Sequence, residues 1–144
     1  MIRRILSITV LSLLCTYANA TEITPQTLIG HYDAKGNAGF QSFQIFFLVT
    51  SATEFELQRV YPDGHKGEMC NGTYRLSKNF LDITTASTKS FDGVFTCPSD
   101  RSKTTSFGIA FGKATLEDLI KGTTVDITTS LAPGMTLSAF VKRN

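Results

Sequence analysis

Apolar and polar residues alternate along most of the chain from residue 40 onward. Phe107, Ile109 and Phe111 fall on one face of an extended segment, with Ser106, Gly108 and Ala110 on the other. Val125, Ile127, Thr129 and Leu131 alternate with Asp126, Thr128 and Ser130. Met135, Leu137, Ala139 and Val141 alternate with Thr136, Ser138, Phe140 and Lys142. Phe55 and Leu57 stand between Glu54, Glu56 and Gln58. A period of two sends successive side chains to opposite faces, so these runs predict strands with one dry face. Threonine is frequent in them, which suits a pleated, half-exposed surface.

The run from Phe40 to Thr50 differs. Phe43, Ile45, Phe47 and Val49 make one stripe, but Phe46 and Leu48 add apolar groups to the other face. The pattern predicts a strand covered on both sides along its second half, by a helix, a loop or a partner. Turn chemistry separates the runs. Pro62-Asp63-Gly64 follows the strand ending near Val60, and Ser77-Lys78-Asn79 is predicted to link Thr73–Leu76 to Phe80–Thr84. Ala132-Pro133-Gly134 has the proline–glycine order of a type II turn. One helix is expected: Thr115-Leu116-Glu117-Asp118 matches a capping box with Asp at its last position, and Lys121-Gly122 closes the other end. Leu116, Leu119 and Ile120 would face inward.

About eight to nine short strands joined by hairpins, with one short helix before the last hairpin, predict an all-β domain. A single antiparallel β-barrel fits consecutive hairpins best, with a β-sandwich as the alternative.

The first twenty residues stand outside that pattern. Arg3 and Arg4 precede the apolar run Ile5–Leu14, and Ala18-Asn19-Ala20 supplies small residues for cleavage between Ala20 and Thr21. This is the plan of a secretory signal peptide over residues 1–20, leaving a single domain at 21–144. Cys15 follows Leu13-Leu14, where lipoprotein processing needs small residues, so the product is expected to be secreted or periplasmic without a lipid anchor. No later segment approaches the roughly 20 apolar residues of a membrane helix, so no stable membrane insertion is expected. Arg3 and Arg4 also account for the whole net charge of +2, and from Thr21 onward twelve Lys+Arg balance twelve Asp+Glu. Nucleic acid is therefore not an expected partner. Removing Cys15 leaves Cys70 and Cys97, an even pair in an oxidising compartment, predicted to form a structural disulfide.

Catalytic chemistry is hard to assemble. Past the leader the chain has two histidines, His31 and His65, and no Gly-x-Ser-x-Gly elbow. His31 and Asp33 share a strand face, as do Glu54 and Glu56; an exposed strand face explains each pair without a reaction. Gly108–Lys113 is one residue short of a phosphate loop and is followed by Ala114 where Ser or Thr is needed. Asn71-Gly72-Thr73 reads as a turn more readily than as a glycosylation site. No catalytic residue, metal site or cofactor is expected, and the chain is not expected to be an enzyme.

Leu28-Ile29-Gly30-His31-Tyr32 resembles the opening of lipocalin-type and related calycin barrels, which begin their first strand with Gly-x-Trp; Tyr32 stands in the tryptophan's place. The resemblance implies an exported eight-stranded barrel, an aromatic ring closing its floor and an apolar cavity for a small ligand. With eleven phenylalanines and no tryptophan in the chain, the candidate ligand contacts are Phe43, Phe47, Phe95, Phe107, Phe111 and Tyr32. The first expectation is thus a barrel that binds an apolar small molecule. The second is a protein-binding or inhibitory factor acting through Tyr61–Met69 and Pro98–Thr104, which flank the cysteines. A small barrel can also be filled by its own side chains, and an empty chamber or a packed interior distinguishes the two expectations.

Overall fold

The computed structural model describes residues 20–78 and 89–144. The leader (1–19) and the expected strand Phe80–Thr84 lie outside the described residues. Eight strands form a closed antiparallel barrel in sequence order: β1 (Gly30–Ala38), β2 (Gln41–Val49), β3 (Glu54–Val60), β4 (Lys66–Lys78), β5 (Lys89–Cys97), β6 (Asp100–Gly112), β7 (Thr123–Thr129) and β8 (Thr136–Arg143). Helix α1 (Leu116–Lys121) lies between β6 and β7. Pairing of β1 with β8, from Tyr32 opposite Arg143 to Gly36 opposite Ala139, closes the sheet and excludes the sandwich.

Alternation becomes an inside and an outside. Phe55, Leu57, Phe107, Ile109, Phe111, Val125, Ile127, Leu137, Ala139 and Val141 are all buried. The interior is filled largely by rings. Tyr74 stacks on Phe91 at 4.3 Å between centroids, Phe55 meets Phe91 edge-on at 5.2 Å, and Phe107 lies 6.3 to 6.4 Å from Phe47, Phe55 and Phe91. Inward glycines make this volume available. A Cβ on Gly72 would come within 2.6 Å of the Phe55 ring, and one on Gly93 within 2.9 Å of the rings of Phe55 and Phe91.

Because strand direction alternates, the connections gather at two ends. One end is shut. The N-terminal segment lays Ile23 and Leu28 against the core, and α1 adds Leu119. Thr115 caps the helix: it accepts from the Asp118 N–H while the Asp118 carboxylate accepts from the Thr115 N–H. Thr21 donates its N–H to Glu117, and Tyr74 donates its hydroxyl to Ser51 C=O at 3.0 Å. The other end carries the turns 39–40, 61–65, 98–99 and 130–135.

The structure corrects several expectations, mostly where the barrel stops. Leu131 and Met135 belong to the β7–β8 turn and face water, and Ile120 is exposed on α1. Ala132-Pro133-Gly134 does form its turn, with Met135 N–H donating to Ala132 C=O and Gly134 at φ 75°. Ser77 and Lys78 continue β4 instead of turning, while Asn79 lies outside the described residues. Among the described residues no helix covers β2, and α1 packs on β8. Phe46 is half-buried beneath the Lys66 ammonium, 4.6 Å from the ring centre, and Leu48 sits between His31 and Glu56 of the flanking strands.

Candidate binding site

All six predicted ligand contacts pack against the core itself. Tyr32, Phe47, Phe95, Phe107 and Phe111 are buried, and Phe43 is half-buried near the turn end. Tyr32 stacks flat on Phe47 at 4.8 Å, and its hydroxyl donates to Leu28 C=O at 2.7 Å, so the ring lies on the floor formed by the N-terminal segment. Burial pushes the Tyr32 hydroxyl up to about 12, against a smaller opposing pull from Arg143.

The turn end is built differently. Ala38 pairs with Gln41, leaving Gly39-Phe40 as a two-residue hairpin loop with Gly39 at φ 64°, the residue order of a type II′ turn. Phe40 therefore belongs to the turn and not to the strand, and its ring is fully in solvent, at 110% of reference exposure. Leu131, 64% exposed, projects from the neighbouring β7–β8 turn, together with Met135. Leaving a phenylalanine ring in water forgoes roughly 2 kcal/mol of burial, so nothing in the fold accounts for Phe40.

Next to Phe40's hairpin stands the β3–β4 turn. Tyr61 N–H donates to His65 C=O at 2.9 Å, and the two rings stack at 4.2 Å. The Arg59 guanidinium lies 4.9 Å from the centre of the Tyr61 ring. Asp63 accepts from the His65 backbone N–H at 3.1 Å and meets Nδ1 of the same ring at 2.5 Å; these contacts hold its carboxyl below the usual carboxylate range. A cleft of about 450 Å³ separates this turn from the hairpin, bordered by Lys35, Ser42, Phe43, Arg59 and Tyr61.

Cys70 and Cys97 form the expected disulfide between β4 and β5, with Cα atoms 4.3 Å apart. They continue the register that pairs Asn71 with Thr96, so the bridge spans two residues directly opposite each other. As expected, it brings the two flanking segments together: Glu68 accepts the Ser99 N–H at 2.9 Å and the Ser99 hydroxyl. Residues 66–69 are strand, however, and Arg101–Thr104 bulge from β6 between the pairs Phe95–Thr105 and Cys97–Asp100. A disulfide suggests an oxidising, extracytoplasmic compartment.

The chemical constellations considered from the sequence are not assembled. His31 is exposed and Asp33 half-buried, and among the described residues no hydrogen bond joins their side chains; Asp33 instead accepts from Asn144 Nδ2 at 2.6 Å. Glu54 and Glu56 share the outer face of β3. Glu68 lies beside both cysteine sulfurs, but those sulfurs are consumed in the disulfide, leaving a single carboxylate for any cation.

Sequence reasoning missed Phe40, Lys35 and Arg59. Gly39 before Phe40 was the available signal for the hairpin tip, while the cleft depends on a strand register that no local pattern displays. No protein-family model, curated protein or solved structure matches the chain.

Proposed function

We propose that this protein is an exported binding module that engages a protein partner through the turns at one end of the barrel. The observation that carries the reading is a division of apolar groups. Inside, three of the candidate ligand-contacting rings, Tyr32, Phe47 and Phe107, pack on one another or on Phe55 and Phe91, whereas the two most exposed large apolar residues among the described residues, Phe40 and Leu131, stand on turns at the same end. Rings that satisfy each other offer little to a ligand, while exposed apolar side chains on turns are what partner surfaces use.

Export supports this reading in two ways. The leader pattern and the Cys70–Cys97 bridge agree on an oxidising compartment, and the bridge stiffens the end that carries the turns. Outward positions such as Asp92, Thr124, Asp126 and Thr128 are exposed and polar, which suits a barrel surrounded by water. The Tyr32 floor fits the calycin-like opening, but the packed rings favour recognition at the rim over carriage of an apolar molecule inside.

Photo-crosslinking tests the reading. A benzophenone side chain at position 40 or 131, in the exporting organism, is expected to capture one discrete protein. The same probe at Asp92 or Thr124 is expected to capture none. Equal capture from all four positions would contradict recognition at the turn end.

A further inference from the structure

The cleft beside Phe40 has an unfinished sheet edge as one wall. β2 pairs with β3 from Val49–Phe55 to Gln44–Val60 in an unbroken register. One rung further, that register sets Ser42 opposite Pro62. Proline has no N–H to give to a ladder, and here the chain turns away, held by Gly64 N–H donating to Tyr61 C=O at 2.8 Å. Ser42 also looks away from β1. In a two-residue hairpin the pair flanking the loop, Ala38 and Gln41, exchanges the hydrogen bonds. The next pair, Asn37 and Ser42, therefore points its N–H and C=O groups outward. The Ser42 peptide groups thus face the cleft, and among the described residues no backbone partner on the β3 side meets them.

The charge in the cleft has one sign. Lys35 and Arg59 border it, and neither makes a salt bridge among the described residues. The nearest carboxylate in the turn, Asp63, is engaged by His65. Phe43 and Tyr61 supply apolar walls. A free backbone rung, two cations without a carboxylate partner among the described residues and two rings together describe a receptor for an extended, acidic stretch of polypeptide. Main-chain pairing would give the grip, the cations would select carboxylate, and the rings would take an alternate apolar side chain.

We infer that this cleft binds an extended acidic segment of the protein partner, which adds as a short strand at Ser42 and places a carboxylate at Arg59. The inference rests on the partner-binding function proposed above and names the chemistry that the partner presents.

The test uses the exported, disulfide-bonded protein, labelled with nitrogen-15. The probes are two blocked octapeptides, one alternating Asp with Leu and the other alternating Lys with Leu. The Asp–Leu peptide is expected to shift the amides of Ser42, Gln44 and Tyr61 in saturable fashion, and the Lys–Leu peptide to shift none of them. Arg59→Gln is expected to weaken the Asp–Leu peptide at least tenfold and Ser42→Pro to abolish it, whereas Arg75→Gln, on the outer wall of β4, leaves it unchanged. Thermal melts of each variant check the fold, and Lys35→Gln gives a second charge test should Ser42→Pro fail to fold. No shift at Ser42, an equal response to both peptides, or indifference to Arg59→Gln and Lys35→Gln would overturn the inference. Crosslinking from position 40 that persists after those results would leave partner binding standing and remove only the cleft from it.

Discussion

Arg143, the last residue of β8, lies across the floor of the barrel with its guanidinium 6.0 Å from the centre of the Tyr32 ring. Its two terminal nitrogens donate to Thr27 C=O at 3.0 Å and Ile29 C=O at 2.6 Å. One side chain thus ties the C-terminal strand, the first strand and the N-terminal segment together at the shut end. Arg143→Ala should cost about 2 kcal/mol in denaturant unfolding, from two charge-assisted hydrogen bonds and a ring contact. Lysine should recover less than half, because it cannot reach both carbonyls from a planar fork. Faster amide exchange at Leu28 and Tyr32 would locate the loss at the floor.

Tyr32 sets the alkaline limit. Its folded-state value of about 12 lies above the usual 10 of an unfolded tyrosine, so between those values the folded chain holds a proton that the unfolded chain has released. This source of stability is complete below about pH 10 and declines as pH rises toward 12. Burial raises Tyr74 as well, which adds to the decline in the same direction. Stability should therefore fall across that window, and Tyr32→Phe should flatten the fall. The same substitution should cost about 1 kcal/mol at neutral pH for the lost bond to Leu28. Ultraviolet titration at the phenolate band, alongside urea unfolding at stepped pH, checks both parts.

The ring-filled interior makes two opposite substitutions destabilising. Phe91, fully buried against Tyr74 and Phe55, should lose about 4 kcal/mol on change to alanine, through lost transfer energy and the void left behind. Gly72→Ala should cost about 2 kcal/mol by overpacking. Its new methyl would sit 2.5 Å from Val94 C=O and 2.6 Å from the Phe55 ring, so backbone as well as side chain must yield. Calorimetric melts of the two variants measure both costs.

The disulfide encloses a sequence separation of 27 residues, for which loop-closure entropy gives about 3.5 kcal/mol as an upper figure. The Cys70→Ser, Cys97→Ser double variant should remain a barrel by circular dichroism while losing about 3 kcal/mol. It should also lose exchange protection first at Ser99, whose N–H is held by Glu68.

The walls of this fold are legible in the chain because each inward residue is announced by its neighbours two positions away. Phe107, Ile109 and Phe111 could be assigned that way, and the Thr115–Asp118 cap and the Pro133-Gly134 turn carry their own local chemistry. Alternation misleads at the ends, where it continues past the sheet. Leu131 and Met135 keep the period of their strands but stand on a turn with no opposite wall to bury them. Phe40 read as a strand's first residue because nothing apolar about it distinguishes a ring at a hairpin tip from a ring in a wall. The candidate site was the least legible part. It exists because Ser42 falls opposite Pro62, a relation set by pairing two segments across a register that neither segment displays alone.

In the proposed function the barrel is occupied by its own rings and a partner is recognised at its rim. Native mass spectrometry of the protein released gently from its natural compartment tests this most directly. Folded ions are expected at the mass of the oxidised chain alone, or of that chain with a protein bound, the bound form being lost in Phe40→Asp. Folded ions that carry a small apolar molecule, released when the barrel unfolds and indifferent to Phe40→Asp, would contradict that function.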